Sequence, residues 1–460
     1  MQPSETLPSV QWPIVMPYYT LDSLYLANTE KVRRREHESW IMRKLRHENQ
    51  LDVEQGDFIM TGGITFNFEV GEDRAHQFEG RKYVNSRGYH FSGAIGQKFF
   101  FKTTFYENQA ILPNYMDSVV NERTSVPGYG RIKNFNTQAS FNYNFDYTAA
   151  TGVVGFALGK RSFIMAGHDR HFVGHGHRSL FVSDAAVPFP FVRGQFSVLD
   201  GKLSYSNTMS MRQVQERVAP NYNFKEAMFK RFYWKFSVLE FQPKKWLSLS
   251  WYASSPVVGK YPLTFLPSLA LVQDGVDDLP ILQGLNARVV IAQKAVVYGQ
   301  LATNNSDMGY QVGVKGVELW RPAHLNVLVE YNSLPMNLYN SSKATSGGPE
   351  QYNYSHFNQP IGHNLGDGVD EFVVKASTRF RDFFLSGEFT QAVRFDSPLL
   401  PIRSSTMFIT EVGYIINTKS NAMMAVGVVN RDLNSSIGGM HTNYVYLSFR
   451  TQMLNRFIDY

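Results

Sequence analysis

Phe232-Tyr233-Trp234-Lys235-Phe236-Ser237-Val238-Leu239-Glu240-Phe241 is the stretch whose reading decides the fold. Side chains of an extended segment alternate sides with period two, so Phe232, Trp234 and Phe236 share one face. The same rhythm recurs where Phe141, Tyr143, Phe145 and Tyr147 alternate with Asn142, Asn144 and Asp146. A soluble sandwich would carry polar or charged outer faces and shorter strands. Here 18% of residues are charged and 14% are aromatic, so many strands have one face that suits hydrocarbon and one that suits water. That pattern predicts an all-β protein, a transmembrane antiparallel β-barrel.

The chain has 460 residues, enough for two or three soluble domains. Yet the strand pattern runs from Phe58 to the last residues without a Pro/Ser linker, which favours one large barrel. No uninterrupted apolar run is long enough to cross a bilayer as a helix. Only a closed barrel could then span it, because closure pairs every strand edge. The absence of cysteine excludes a disulfide scaffold and a thiolate metal site, and suits passage through an oxidising periplasm. Met1-Gln2-Pro3-Ser4-Glu5 lacks the basic-then-apolar pattern of a secretory signal, so the numbering reads as that of a mature chain. The expected location is the outer membrane of a diderm bacterium, with membrane lipid or lipopolysaccharide as a partner. The net charge of +6 is modest and dispersed, with no aromatic-interleaved basic stripe for nucleic acid outside the first helix.

Residues 28–48 read as the only strong helix, capped by Asn28 or Thr29, basic, with a thin stripe of Val32, Ile41 and Leu45. Residues 1–56 are therefore expected to form a periplasmic extension and 57–460 the barrel. Connections alternate between short and long. Short turns are expected at Gly96-Gln97-Lys98, Gly159-Lys160, Asp200-Gly201, Pro243-Lys244-Lys245, Gln293-Lys294, Pro322-Ala323-His324, Arg381-Asp382 and Asn417–Ser420. Long segments fall near 107–138, 212–229, 254–284, 334–368, 394–406 and 432–441. Counting strands gives about 16–18, enough to enclose a lumen. Asp200-Gly201 suits a type I′ hairpin turn, and the aromatic-rich Phe457-Ile458-Asp459-Tyr460 suits the closing strand.

Residues 168–191 break the rhythm. A Gly-, His- and Pro-rich stretch of this length is expected to fold into the lumen as a constriction, with His168, Asp169, His171, His175, His177, Arg178 and Asp184 as its polar residues. Four histidines within ten positions invite a metal reading, but Asp169 is their sole acidic neighbour and polar lumens commonly carry histidine. No metal or other cofactor is expected.

Gly167-His168-Asp169, Gly174 through Asp184 and Pro188-Phe189-Pro190-Phe191 together resemble the core of the Wzi-like capsule-assembly family of outer-membrane barrels, and more closely its gliding-motility, RemB-like branch. Further blocks are similar: Tyr83–Gly88, Phe105–Ala110, Gly284–Ala287 with Tyr298-Gly299-Gln300, and Asn353–Pro360. The resemblance covers most of the barrel. It departs at His175, where the family often has a large residue near the Gly-x-Gly. For the capsule branch it implies an 18-stranded surface lectin, and for the motility branch an accessory role in adhesion or gliding.

Tyr352, Tyr354, His356, Asn358 and Gln359 combine ring faces with amide and imidazole groups, the pairing that a sugar ring requires. They are the expected polysaccharide contacts, unless they simply fill a long polar loop. Catalytic motifs are missing: no Gly-x-Ser-x-Gly, no His-Glu-x-x-His, no phosphate loop. His177, Ser179 and Asp184 could form a triad in name alone. The expected function is non-enzymatic binding or organising of surface polysaccharide. The alternatives are an accessory subunit of a gliding, adhesion or secretion assembly, with outer-membrane protein partners, and a diffusion channel.

Overall fold

The computed structural model describes residues 11–12, 39–75, 81–96, 98–135, 144–159, 162–217, 229–257, 282–292, 294–304, 307–320, 323–339, 354–395, 403–435, 438–451 and 458–460. Eighteen antiparallel strands close into one barrel. They are β1 (Phe58–Asp73), β2 (Arg81–Ile95), β3 (Phe99–Ile111), β4 (Phe145–Gly159), β5 (Ser162–Asp169), β6 (Phe189–Val198), β7 (Leu203–Arg217), β8 (Phe229–Lys244) and β9 (Leu247–Val257). The second half comprises β10 (Leu282–Ile291), β11 (Ala295–Asn304), β12 (Asp307–Gly316), β13 (Asn326–Leu334), β14 (Val369–Phe380), β15 (Phe383–Arg394), β16 (Arg403–Asn417), β17 (Ala422–Ser435) and β18 (Gly438–Arg450). Closure pairs Tyr444 of β18 with Asp73 of β1 and ends at Arg450 with Asn67. Below that point Leu51–Gln55 pairs with Phe58–Gly62 and continues the wall, so the 56/57 division falls within a hairpin.

Alternation along each strand sorts the residues. On β1, Thr65, Asn67 and Glu69 are buried towards the interior, while Ile64 and Phe68 are 67% and 45% exposed on the outer wall. Ile164, Val192, Leu285, Val312, Phe408 and Leu447 extend the apolar outer surface. Among the described residues no helix is long and apolar enough to cross a membrane. A closed barrel with an apolar wall places the protein in the outer membrane, since lipid tolerates no unpaired strand edge.

The described strand ends that flank the eight expected short turns fall at one end of the barrel, the end that faces the periplasm in proteins of this architecture, while Gln97, Lys160, Gln293 and Pro322 lie outside the described residues. Two local expectations change. The β6–β7 connection is not a two-residue turn: Val198 pairs with Leu203, and Leu199, Asp200 and Gly201 all have positive φ. Residues 432–441 are not a long loop, because β17 and β18 stay paired to Ser435 and Gly438. The Phe232, Trp234 and Phe236 face is the inner one: Trp234 and Phe236 are each 2% exposed, whereas Tyr233 is 51% exposed on the outer wall.

The described part of the N-terminal helix is α1 (Trp40–Arg46), capped by the Ser39 hydroxyl. Residues 28–38, with the expected caps and Val32, lie outside the described residues. Ile41 and Leu45 are exposed rather than packed. Asn417, at the short-turn end, donates to the carbonyls of Lys44 and Glu48 at 3.0 Å each and seats the helix on the rim.

The hydrophobic core lies inside the barrel. Val173, Leu180, Phe181 and Val182 pack against Trp234, Phe236 and Tyr252 of the wall and against Leu338, Tyr339, Tyr354 and Ile361 of the β13–β14 connection. A second cluster gathers around α2 (Asn114–Arg123), which the β3–β4 connection supplies. Residues Ile458, Asp459 and Tyr460 do not extend the closing strand. They turn inward, where Tyr115 donates to the Ile458 carbonyl at 2.7 Å.

Candidate functional site

Residues 170–188 leave the wall after β5 and return at β6, as the Gly- and Pro-rich composition implies. Their contacts show how far they travel. Gln300 of β11, Gln311 and Lys315 of β12, Glu330 of β13 and Glu371 of β14 all bond to residues 173–180, from the opposite side of the barrel. The segment therefore crosses the lumen. Phe172 and Val173 there also pair antiparallel with Trp12 and Gln11.

Arg178 is the hub of this crossing. Its Nη2 reaches Glu371 Oε1 at 2.8 Å and its Nη1 reaches Asp459 Oδ2 at 2.7 Å, with the side chain 4% exposed. The backbone N–H groups of His177 and Arg178 donate to Glu330 at 2.7 and 2.9 Å. Glu371 further accepts from His363 at 2.8 Å and Asn332 at 3.1 Å. His177 Nε2 lies 2.9 Å from Asp459 and 3.6 Å from Glu388, which Lys375 holds at 2.7 Å. A buried charge is tolerable only when paired and hydrogen-bonded: Arg178 stands beside Glu371 and Asp459 and Lys375 beside Glu388, while Glu330 accepts from the two amides and the Tyr298 hydroxyl.

The glycines of the Gly174-His175-Gly176 motif have a steric reason. A Cβ on Gly176 would sit 2.5 Å from Glu330 Oε2, and Gly174, at φ +151°, has Gln300 Nε2 at the same 2.5 Å. Only glycine allows the backbone so near the wall's side chains.

The expected constriction residues divide. His168 leaves the group: on β5 it has the outward parity of the exposed Ile164, and its Nδ1 lies 2.7 Å from the Ala150 carbonyl. Asp169 and His171 are buried within the barrel, His171 stacked on Phe189 and 2.5 Å from an Arg193 nitrogen. His175 lies in the crossing, where burial, with Arg288 and Lys315 nearby, pushes its pKa down to about 3. Burial, Lys375 and Arg178 oppose protonation of His177, yet its bonds to Asp459 and Glu388 prevail and raise its pKa. Asp184 is half-buried.

His177, Glu388 and Asp459 place ligand atoms within 4.8 Å of one another. Arg178 and Lys375 already balance the two carboxylates, so the geometry is that of an ion-pair network rather than a cation site. Ser179 is committed to the backbone: its Oγ donates to the Val173 carbonyl and accepts from the amides of Phe181 and Val182. Its hydroxyl serves a turn, not a nucleophile's role.

The expected sugar contacts are mostly core. Tyr354 is 3% exposed, bonds to Tyr252 at 2.5 Å and stacks on Tyr339. His356 is buried and accepts at Nδ1 from the Gln213 amide, and Gln359 is buried against Ser125 and Val126. These three tie the β13–β14 connection to the wall strands β9 and β7 and to the β3–β4 connection, and offer no face to a glycan. Asn358 alone is exposed, and Tyr352 lies outside the described residues. Sequence reasoning missed Glu330, Glu371 and Asp459. Glu330 and Glu371 on polar strand faces and Asp459 among the last residues gave no local sign that they meet at Arg178.

Neither a family model nor a curated protein matches this chain. Among solved structures it is similar to Wzi of Escherichia coli, described as an outer-membrane protein of group 1 capsule assembly and a carbohydrate-binding β-barrel. The TM-score is 0.55 and the identity 14%, over 87% of this chain and 85% of that one. OccK7 of Pseudomonas aeruginosa gives 0.47 at 10% identity and OccAB2 of Acinetobacter baumannii 0.49 at 8%, each over 87% of this chain and 100% of the other. The fold is thus Wzi-like.

Proposed function

We propose that this barrel binds or organises surface polysaccharide at the outer membrane, without catalysing a reaction. The observation that carries the reading is the filled lumen. Residues 170–188 cross it, and Leu180, Phe181, Val182 and Arg178 are each at most 3% exposed. A barrel closed in this way offers poor passage to solutes, which disfavours the diffusion channel and leaves a binding role. The Wzi-like fold supports that role.

The test uses the full-length protein and the cell's own surface polysaccharide. Purified protein in nanodiscs should retain that polysaccharide, and in planar bilayers it should conduct little until residues 170–187 are deleted. Porin-like conductance of the intact protein, or no retention of the native polysaccharide, would overturn the proposal.

The second reading, an accessory subunit of a gliding, adhesion or secretion assembly as in the RemB-like branch, is favoured by one feature. Trp40, Ile41 and Leu45 of α1 are 63%, 61% and 49% exposed on the periplasmic rim, beside Arg43, Lys44 and Arg46. Purification in mild detergent, with a protein partner lost from the Trp40→Ser/Ile41→Ser variant, would support it over the first.

A further inference from the structure

A recess, part of it open to solvent, lies inside the barrel between α2 and the inner faces of β1, β2, β4 and β18. Four tyrosines line it: Tyr115 of α2, Tyr129 of the same connection, Tyr147 of β4 and Tyr444 of β18. Such rings offer apolar faces with polar tips.

Its polar wall is Asn67 and Glu69 of β1 with Ser86 of β2, which pairs with Asn67 across the strands. Asn67 is 4% exposed, and its Oδ1 has no hydrogen-bond partner. A buried acceptor without a donor is costly and points to a group that supplies one. Glu69 accepts from the Tyr444 hydroxyl at 2.9 Å. No lysine, arginine or histidine lines the recess. The guanidinium groups of Arg170 and Arg431 lie over the rings of Tyr129 and Tyr115, and each bonds to a backbone carbonyl, of Gly128 and Tyr460.

The recess therefore asks for a ligand with hydroxyl or amine donors, an apolar face and no negative charge. A pyranose ring meets the first two conditions, with C–H groups on its face and hydroxyls along its edge, and the carboxylate at Glu69 excludes uronic acids. We propose that the recess holds one neutral or amine-bearing pyranose unit of the bound polysaccharide, with Asn67 Oδ1 accepting from a sugar hydroxyl or amine. The proposal rests on the polysaccharide reading and adds its place and charge selectivity.

The test is saturation-transfer NMR of the full-length protein in nanodiscs with glucose, galactose, mannose, glucosamine and glucuronate, run beside retention of native polysaccharide. Asn67→Ala and Asn67→Asp are compared, with heat-modifiable migration on gels confirming assembly. One of the neutral or amine-bearing sugars should bind at millimolar concentration and glucuronate should not. Asn67→Ala should weaken binding at least fivefold, and Asn67→Asp, which keeps an acceptor, should restore it for glucosamine. Equal binding by Asn67→Ala, preferential binding of glucuronate, or retention of native polysaccharide with none of these sugars bound would overturn the recess and leave the polysaccharide reading standing. Loss of native polysaccharide retention by the wild-type protein would overturn both.

Discussion

Replacing Arg178 by methionine is expected to unfasten the lumen segment while the barrel stays closed. The guanidinium bridges Glu371 and Asp459 at 2.8 and 2.7 Å from a site 3% exposed. Methionine keeps the apolar stem and removes the charge, so two buried carboxylates lose their cation. Breaking a buried pair by removing one partner costs about 3–5 kcal/mol. Glu371 keeps His363 and Asp459 keeps His177, which places this case near the lower bound, about 3 kcal/mol. At 1.4 kcal/mol per factor of ten, segment opening should become roughly 10²-fold more frequent. Hydrogen exchange followed by mass spectrometry measures this on peptides covering 170–188, with β15 to β17 as internal reference. The double variant Arg178→Met/Glu371→Gln should recover part of the protection, because it removes one orphaned charge. A change below about tenfold in the single variant would limit the hub to less than about 1.4 kcal/mol and refute the reasoning. So would equal loss of protection in the wall strands, which would mean that the barrel itself had loosened.

Exchange at 170–188 should also depend on pH. The folded-state pKa of His177 is raised, so its contribution is complete below the unfolded value of about 6.5 and is lost as pH climbs through the folded value. Asp459 behaves oppositely: burial opposes its ionisation, but Arg178 and His177 hold its carboxyl well below the usual range, so its contribution disappears only as pH falls through that low value. Protection should decline as pH rises above about 6.5 and lose that decline in His177→Gln; equal slopes would contradict the His177 assignment. Cysteine at Asn358, on the side of the long connections, should react with an impermeant thiol reagent on intact cells, and cysteine at Lys244 or Arg381 should not. Labelling at Lys244 would invert the orientation. Gly176→Val should displace Glu330 and cost about 1–3 kcal/mol of segment stability by the same exchange measurement, whereas Gly387→Ala, with nothing within 4 Å of its added Cβ, should leave exchange unchanged.

The barrel was legible in the sequence because strand alternation is a local signal. Ile64, Thr65, Phe68 and Glu69 declare their sides of the wall whatever lies elsewhere in the chain, and turn residues such as Arg381-Asp382 mark the strand ends. The inward path of residues 170–188 was legible for a related reason, since a long Gly- and Pro-rich stretch without alternation cannot continue a sheet. What occupies the inside was decided only by tertiary structure. Tyr354, His356 and Gln359 have the composition of an open glycan-binding loop, yet the β13–β14 connection folds inward and uses them as core. Arg178, Glu330, Glu371 and Asp459 lie up to 281 positions apart and meet only because β13, β14 and the last residues face the crossing segment. Periodicity reports which face a side chain takes. It carries no information about which distant segment will cover that face, because that depends on the closure of eighteen strands around one lumen.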